Sequence, residues 1–99
     1  MPEYTIHAVA FRRGDWWIAQ CLEYRLATQT RTLEELPSEL ERLLTVQVQA
    51  SRARGGEPFA GFSAAPRRYW QMYERAKARV ESVSQPSDPQ IRTETRLAA

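Results

Sequence analysis

The chain has 99 residues, of which 42% are hydrophobic and 26% charged, and its formal net charge is +2. This length and balance fit one small soluble domain, and no run approaches the roughly 18 apolar residues of a membrane span. The start, MPEY, lacks the basic-then-apolar layout of a signal peptide, and a single cysteine, Cys21, excludes an internal disulfide. We therefore expect a cytoplasmic protein.

The first third of the chain has the alternating pattern of β-strands. Residues 4–12 place apolar and aromatic side chains on both faces with a period of two, which predicts a strand. Gly14 can take the positive φ of a tight turn, so the next strand, 16–22, forms an antiparallel hairpin with the first. After a short break the pattern resumes at 26–30 as a third strand.

A long helix is predicted next. The motif TLEE at 32–35 has the form of a capping box, in which the Thr32 hydroxyl accepts from the Glu35 amide and the Glu35 carboxylate returns to the Thr32 amide. We expect the helix to begin there, to present a leucine stripe to the sheet, and to end near Arg54 before a glycine pair. Pro37 either kinks this helix or marks a first turn that restarts.

The second half of the chain predicts one more helix and a tail. The helix covers about 66–83, opens at Pro66 and carries an aromatic stripe toward the core. Residues 84–99 contain two prolines and little apolar content, which indicates a disordered tail. The expected domain is therefore 1–83, with its core at 4–54. The basic residues of the outer helix face are Arg67, Arg68, Arg75, Lys77 and Arg79.

Residues suited to catalysis or metal binding are not grouped in this sequence. His7 is the single histidine and Cys21 the single cysteine, so no zinc set exists. The two could lie on adjacent strands, but no third group is evident to orient them as a nucleophile and base. The glutamates of the long helix are explained by capping and by a solvated face. We expect no enzyme, no metal site and no cofactor.

The run GDWWIAQCLEYRLATQTRTLEEL, residues 14–36, resembles the HicB-like antitoxin family, and the resemblance extends over about 4–54. It implies an α+β, partial ribonuclease H-like fold: a three- to four-stranded antiparallel sheet with a long helix across one face. The first strand lacks the acidic residue of a complete ribonuclease H site, so the nuclease chemistry is not implied. The elements that carry the resemblance are Trp17-Ile18-Ala19, Leu22-Glu23-Tyr24, Thr28-Gln29 and Thr32-Leu33-Glu34-Glu35.

The resemblance implies a protein that binds and masks a small HicA-like ribonuclease toxin and that assembles as a dimer or larger homo-oligomer. Family members commonly add a C-terminal DNA-binding domain, but only one substantial helix is predicted after residue 56, so DNA binding is doubtful. Trp16 and Trp17 point to opposite sides of their strand, so one of them belongs to the face that the long helix leaves open. The candidate partner-binding residues are Trp16, Trp17, Glu23 and Tyr24.

Two alternatives remain open at this point. The basic C-terminal helix could contact phosphates while its aromatic residues stack on bases, which would make the protein a nucleic-acid binder. The chain could instead be a stand-alone homo-oligomeric scaffold whose sheets pair across subunits. The second helix could also pack back onto the sheet and cover the face that a partner would use.

Overall fold

The computed structural model describes residues 3–80 and 90–98. Over these residues the chain is an α+β structure, as the sequence predicts. Neither of its helices is long and apolar enough to cross a membrane. The elements are β1 (Glu3–Arg13), β2 (Trp16–Cys21), β3 (Ala27–Thr30), α1 (Leu36–Ala53), α2 (Arg67–Arg75), β4 (Ala78–Val80) and β5 (Gln90–Leu97).

The sheet is larger than the sequence predicts, and it is mixed. Five strands lie in the order β3-β2-β1-β5-β4, so β1 is central. The expected antiparallel pairs β1–β2 and β2–β3 are present. However, β5 runs parallel to β1, and β4 pairs antiparallel with β5. The prediction of a three- to four-stranded, wholly antiparallel sheet is therefore wrong in its strand number and in its directions.

The C-terminal region differs most from the prediction. The second helix ends at Arg75 instead of continuing to 83, because Ala76 has extended backbone with ψ of 135° and β4 follows. Residues 90–97, expected as disordered tail, form β5 and pair with β1 from Glu3↔Gln90 to Ala10↔Leu97. The domain therefore continues past the predicted boundary at 83. Residues 81–89, where the remaining parts of the predicted helix and tail fall, lie outside the described residues.

The start of α1 settles the role of Pro37. The segment 32–35 forms a turn in which the Glu35 amide donates to Thr32 Oγ1 at 3.3 Å and the Thr32 hydroxyl donates to Glu35 Oε1 at 2.7 Å. The Glu35 carboxylate thus binds the hydroxyl rather than the Thr32 amide of a capping box. The helix begins at Leu36 with Pro37 in its first turn. The N–H groups of a first turn have no partner within the helix, so the helix loses no hydrogen bond through the proline. Of the two alternatives, the restart is confirmed.

The larger core lies between α1 and one face of the sheet, called here the α1 face. Alanines at 8, 10 and 19 lie beneath the helix, and their small side chains let the leucines of α1 approach the sheet closely. Phe59 closes one end of this core: its ring stacks on Tyr24 at 4.5 Å and meets the edge of Tyr4 at 5.7 Å. Its φ of 63° is left-handed, so packing holds a strained backbone there.

The opposite face, called here the α2 face, carries a smaller core. Val9, Phe11 and Leu22 of the strand region pack with Ala65 and Tyr69 from the α2 segment. The strands are therefore apolar on both sides, in keeping with the pattern of β1 and β2. The second helix does pack back onto the sheet, and the face opposite α1 is not left open over β1 and β2.

Candidate functional site

The two candidate tryptophans lie on opposite faces, so they do not form one patch. Trp17 packs, half-buried, against the core of the α1 face. Trp16, its neighbour in β2, faces the other way, and the guanidinium of Arg31 lies 4.0 Å from the centre of its ring. Arg31 thus already occupies one face of Trp16.

Glu23 and Tyr24 separate in the same manner. Tyr24 stacks on Phe59 and packs against the core of the α1 face. Burial is the largest cause that raises the pKa of its hydroxyl, and electrostatic interactions with Tyr4 and Glu23 raise this pKa further. Glu23 instead reaches the α2 face and binds His7. The structure therefore divides the four candidate partner-binding residues between two faces, and a single surface containing all of them is not formed.

His7 lies between two carboxylates on the α2 face. Its Nδ1 contacts the Glu23 carboxylate, and its backbone N–H donates to Glu23 Oε1 at 2.8 Å. Its Nε2 lies 3.1 Å from Glu94 Oε2 on β5. Both ring nitrogens thus face carboxylate oxygens. Arg79 extends the row of charges, with Nη2 at 3.7 Å from Glu94 Oε1.

Aromatic and backbone contacts join α2 to these charges. The His7 ring meets the edge of Tyr73 at 5.6 Å, and the Arg96 guanidinium lies 4.3 Å from the centre of the Tyr73 ring. Arg96 Nη1 also donates to the carbonyls of Tyr73, at 3.3 Å, and Ala76, at 3.4 Å. We call this group, formed by His7, Glu23, Tyr73, Glu94 and Arg96, the His7 cluster. It connects β1, β5, α2 and the bend after β2.

The His7 cluster shows what the sequence prediction missed. His7 lies in β1, within the strand that the sequence predicts at 4–12, and its side chain is 33% exposed. The members of the cluster on β5, Glu94 and Arg96, fall in the segment 84–99, for which the sequence analysis predicts a tail. The signal was present: IRTETRL at 91–97 alternates isoleucine, threonine and leucine with charged residues, which is typical of a strand.

The Cys21–His7 pair is not assembled as a nucleophile and base. Cys21 is paired in register with Ala8 and lies on the α1 face, fully buried, whereas His7 lies on the α2 face. Burial, reinforced by the charge of Glu23, raises the pKa of the Cys21 thiol to about 12. Among residues 3–80 and 90–98, no three or more His, Cys, Asp or Glu residues are grouped so that they could hold a metal ion.

The basic residues predicted on one helix face are spread over three segments. Three lie on α2, Lys77 lies in the link that follows, and Arg79 lies on β4. Arg68 donates to the Tyr69 hydroxyl at 3.1 Å, and this bond, with a further one from Arg13, lowers the pKa of Tyr69. Tyr69 itself is buried against Phe11, so its ring is not free to stack on a base. The prediction of one basic helix face is wrong. The three members on α2 are Arg67, Arg68 and Arg75.

A cleft opens on the α1 face between α1 and the strands β4 and β5. It exists because α1 packs against β3 and β2, at the other side of the sheet. Its accessible volume is about 10 Å³, room for about one water molecule and far below the roughly 300–1,000 Å³ of a typical small-molecule site. The cleft is therefore too small for a small-molecule ligand. It is lined by Ala19, Leu36, Pro37, Leu40, Val80, Thr93 and Thr95.

Comparison with known protein families, curated proteins and solved structures finds no match to this chain.

Proposed function

We propose that this protein is a non-catalytic protein-binding module of the HicB-like type, and that its partner is a small HicA-like ribonuclease toxin. The segments that carry the resemblance occupy consecutive parts of one unit. Residues 17–19 lie in β2, 22–24 in the bend that follows, 28–29 in β3, and 32–35 in the turn before α1. Three antiparallel strands followed by a helix across one face are what the resemblance implies.

The observation that carries the proposal is the half-covered state of the α1 face. Helix α1 packs over β3 and β2, and the cleft lies at the boundary between this covered part of the sheet and β4 and β5. Beyond it, uncharged side chains of β4 and β5 remain half-exposed, among them Val80, Ile91 and Leu97. A sheet face of this kind is normally buried by a second layer, and a partner protein can supply that layer.

Charges beside the cleft favour a basic partner. Glu34 and Glu35 are exposed immediately before Leu36 and Pro37, which line the cleft, and Glu39 and Glu41 follow in α1. A ribonuclease needs basic residues to bind the phosphates of RNA. An acidic rim next to an uncharged cleft is therefore complementary to such a partner, and masking the basic surface would block access of RNA.

The test is co-expression with a HicA-like protein encoded beside this gene. We expect rescue of growth, and in calorimetry a defined complex that Thr93→Arg weakens at least roughly tenfold, because the arginine would be forced into the uncharged cleft. Gln71→Arg, a matched change at an exposed position of α2, is the control and should bind as the wild type does.

Three results would contradict the proposal. Binding that is unchanged by Thr93→Arg would mean that the cleft is not the partner surface. An absence of rescue, together with binding of RNA or DNA that falls steeply with salt and with charge removal at Arg67 and Arg68, would instead favour the nucleic-acid binder. Homo-oligomers that capture neither ligand would favour the stand-alone scaffold.

A further inference from the structure

Two arginines converge on the Tyr69 hydroxyl on the α2 face. Arg68, in the first turn of α2, donates from Nη2 to the hydroxyl oxygen at 3.1 Å, and its guanidinium carbon lies 4.7 Å from the centre of the Tyr69 ring. Arg13, the last residue of β1, makes a second hydrogen bond to the same oxygen. The Arg13 guanidinium also lies 5.5 Å from the ring centre of Phe11, which stacks on Tyr69. A helix and a strand therefore hold two guanidinium groups beside one hydroxyl.

These two positive charges are not paired with a carboxylate. Neither Arg13 nor Arg68 forms an ion pair with any residue that the structure describes. The first turn of α2 contains no acidic residue, and the exposed Asp15, two residues after Arg13, does not pair with it. Arg79 on the same face differs, because Glu94 lies beside it. Two like charges near one oxygen repel each other, and an anion bound between them would offset this repulsion.

A third arginine extends the positive charge across the end of the sheet. Trp16 is paired in register with Arg13, and side chains opposite each other on neighbouring strands share a face, with Cβ atoms about 5 Å apart. The Arg31 guanidinium lies 4.0 Å from the centre of the Trp16 ring, so this charge lies on the same face. Arg13, Arg31 and Arg68 are all exposed. A dissolved anion can therefore reach the three guanidinium groups and is attracted by all of them.

We propose that Arg13, Arg68 and the Tyr69 hydroxyl bind the phosphate group of a phosphomonoester, and that Arg31 adds to the attraction. Each guanidinium can donate two parallel hydrogen bonds to phosphate oxygens, and because the two groups come from different elements they can bind different oxygens of one phosphate. The Tyr69 oxygen accepts from the arginines, so its O–H remains to donate to a further oxygen. A carboxylate, with two oxygens, would leave part of this donor set unused.

The charge of the site favours a phosphomonoester over the phosphodiester of a nucleic acid. A phosphomonoester carries a charge of about −1.5 to −2 at pH 7, because its second pKa is near 6. This charge balances the two guanidinium groups at the Tyr69 hydroxyl. Each phosphodiester carries a single negative charge and would leave one of them unbalanced. A free nucleotide and a phosphorylated side chain both supply a phosphomonoester.

The test is a titration of the full chain with inorganic phosphate at constant ionic strength, followed by nuclear magnetic resonance of the backbone amides. We expect shifts near Arg13 and Arg68 that saturate in roughly the millimolar range, and sodium chloride should not produce them. Arg13→Gln, Arg68→Gln and Tyr69→Phe should each weaken binding at least roughly fivefold. Tyr69→Phe keeps the ring that stacks on Phe11, so it decides the result if an arginine variant does not fold.

Arg75→Gln removes an exposed charge from the last turn of the same helix and is the matched control, which should bind phosphate as the wild type does. Adenosine monophosphate and O-phosphoserine distinguish the two sources: tighter binding of the first indicates a nucleotide, tighter binding of the second a phosphorylated side chain, and either supports the site.

Shifts that do not saturate, or binding that Arg75→Gln weakens as much as the site variants do, would overturn the proposal. Binding of single-stranded RNA by a chain that does not bind inorganic phosphate would also overturn it, and would indicate a nucleic-acid surface instead. The phosphate site lies on the α2 face and the cleft on the α1 face, so phosphate binding and toxin binding can fail independently.

Discussion

The two faces of the sheet are stabilised by different kinds of interaction. On the α1 face, an 18-residue helix buries a leucine stripe, with Leu36, Leu40 and Leu44 between 0% and 2% exposed. On the α2 face, a nine-residue helix covers a smaller apolar cluster. Beside that helix, the His7 cluster adds side-chain contacts to the backbone pairing of β5 with β1, and its carboxylates remain 27% and 30% exposed.

We expect the two faces to contribute differently, one mainly to the stability of the fold and the other mainly to the placement of a strand. Burial of apolar area is strong but has little directional preference. Partly exposed ion pairs add little free energy, but they specify which residues lie together. The α1 face should therefore supply most of the free energy of folding, whereas the α2 face should determine how β5 is held beside β1.

The largest effect is expected for Leu44→Ala, because Leu44 is fully buried under α1. Removing its side chain loses the transfer free energy and leaves a cavity, which costs about 3 kcal/mol. Urea unfolding followed by circular dichroism measures this loss. Gln49→Ala, on the exposed side of the same helix, is the control and should change stability by less than about 0.5 kcal/mol. Similar losses for both variants would contradict a core built on the leucine stripe.

The same division explains which parts of the fold were predictable from the sequence. Strands β1 to β3 and helix α1 depend on local alternation, turn glycines and leucine spacing, so they were found within a few residues. β5 was missed because its pairing with β1 is long-range and its two nearby prolines, Pro86 and Pro89, suggested a tail. The His7 cluster could not be predicted for the same reason, since Glu94 reaches His7 only after β5 pairs in register.

The second prediction concerns Cys21, whose pKa is raised to about 12 because the thiol is buried on the α1 face. The unfolded chain ionises this thiol near its ordinary pKa of 9.0, whereas the folded chain keeps the proton. The stabilising contribution of Cys21 is therefore full below about pH 9 and is lost as the pH rises toward 12. At pH 10 the loss is roughly 1–2 kcal/mol.

The measurement is the free energy of unfolding of the wild type and of Cys21→Ala at pH 8 and pH 10. The variant lacks the thiol, so the difference between the two proteins isolates its contribution from those of the tyrosines. We expect this difference to shrink by roughly 1–2 kcal/mol at the higher pH. An equal pH dependence in both proteins would show that Cys21 is accessible to solvent, against its position beneath α1.

The third prediction tests the α2 face through Glu94→Gln. The change removes the charge that faces His7 Nε2, and because the Glu94 side chain is 30% exposed we expect a loss below about 1 kcal/mol. The local effect should be larger: hydrogen exchange at β5 amides should accelerate more than at α1 amides. Arg79→Gln removes a charge on a side chain that is 77% exposed, and it is the control. It should change neither the free energy of unfolding nor hydrogen exchange at β5 by much. Uniform acceleration over both elements would contradict a local role.

The smallest change in stability is expected for Ser51→Ala. This variant tests whether the fold needs a polar contact on the α1 face. Ser51 is 2% exposed in α1, and its hydroxyl has no hydrogen-bond partner among the described residues. Burying an unpaired hydroxyl is unfavourable, and alanine also favours the helix, so we expect a gain between zero and about 1 kcal/mol. Thermal unfolding measures it, with Gln49→Ala giving the contribution of helix propensity at an exposed site. If Ser51→Ala instead lowers stability by more than about 1 kcal/mol, the hydroxyl makes a directed bond, and the α1 face would depend on polar placement as the α2 face does.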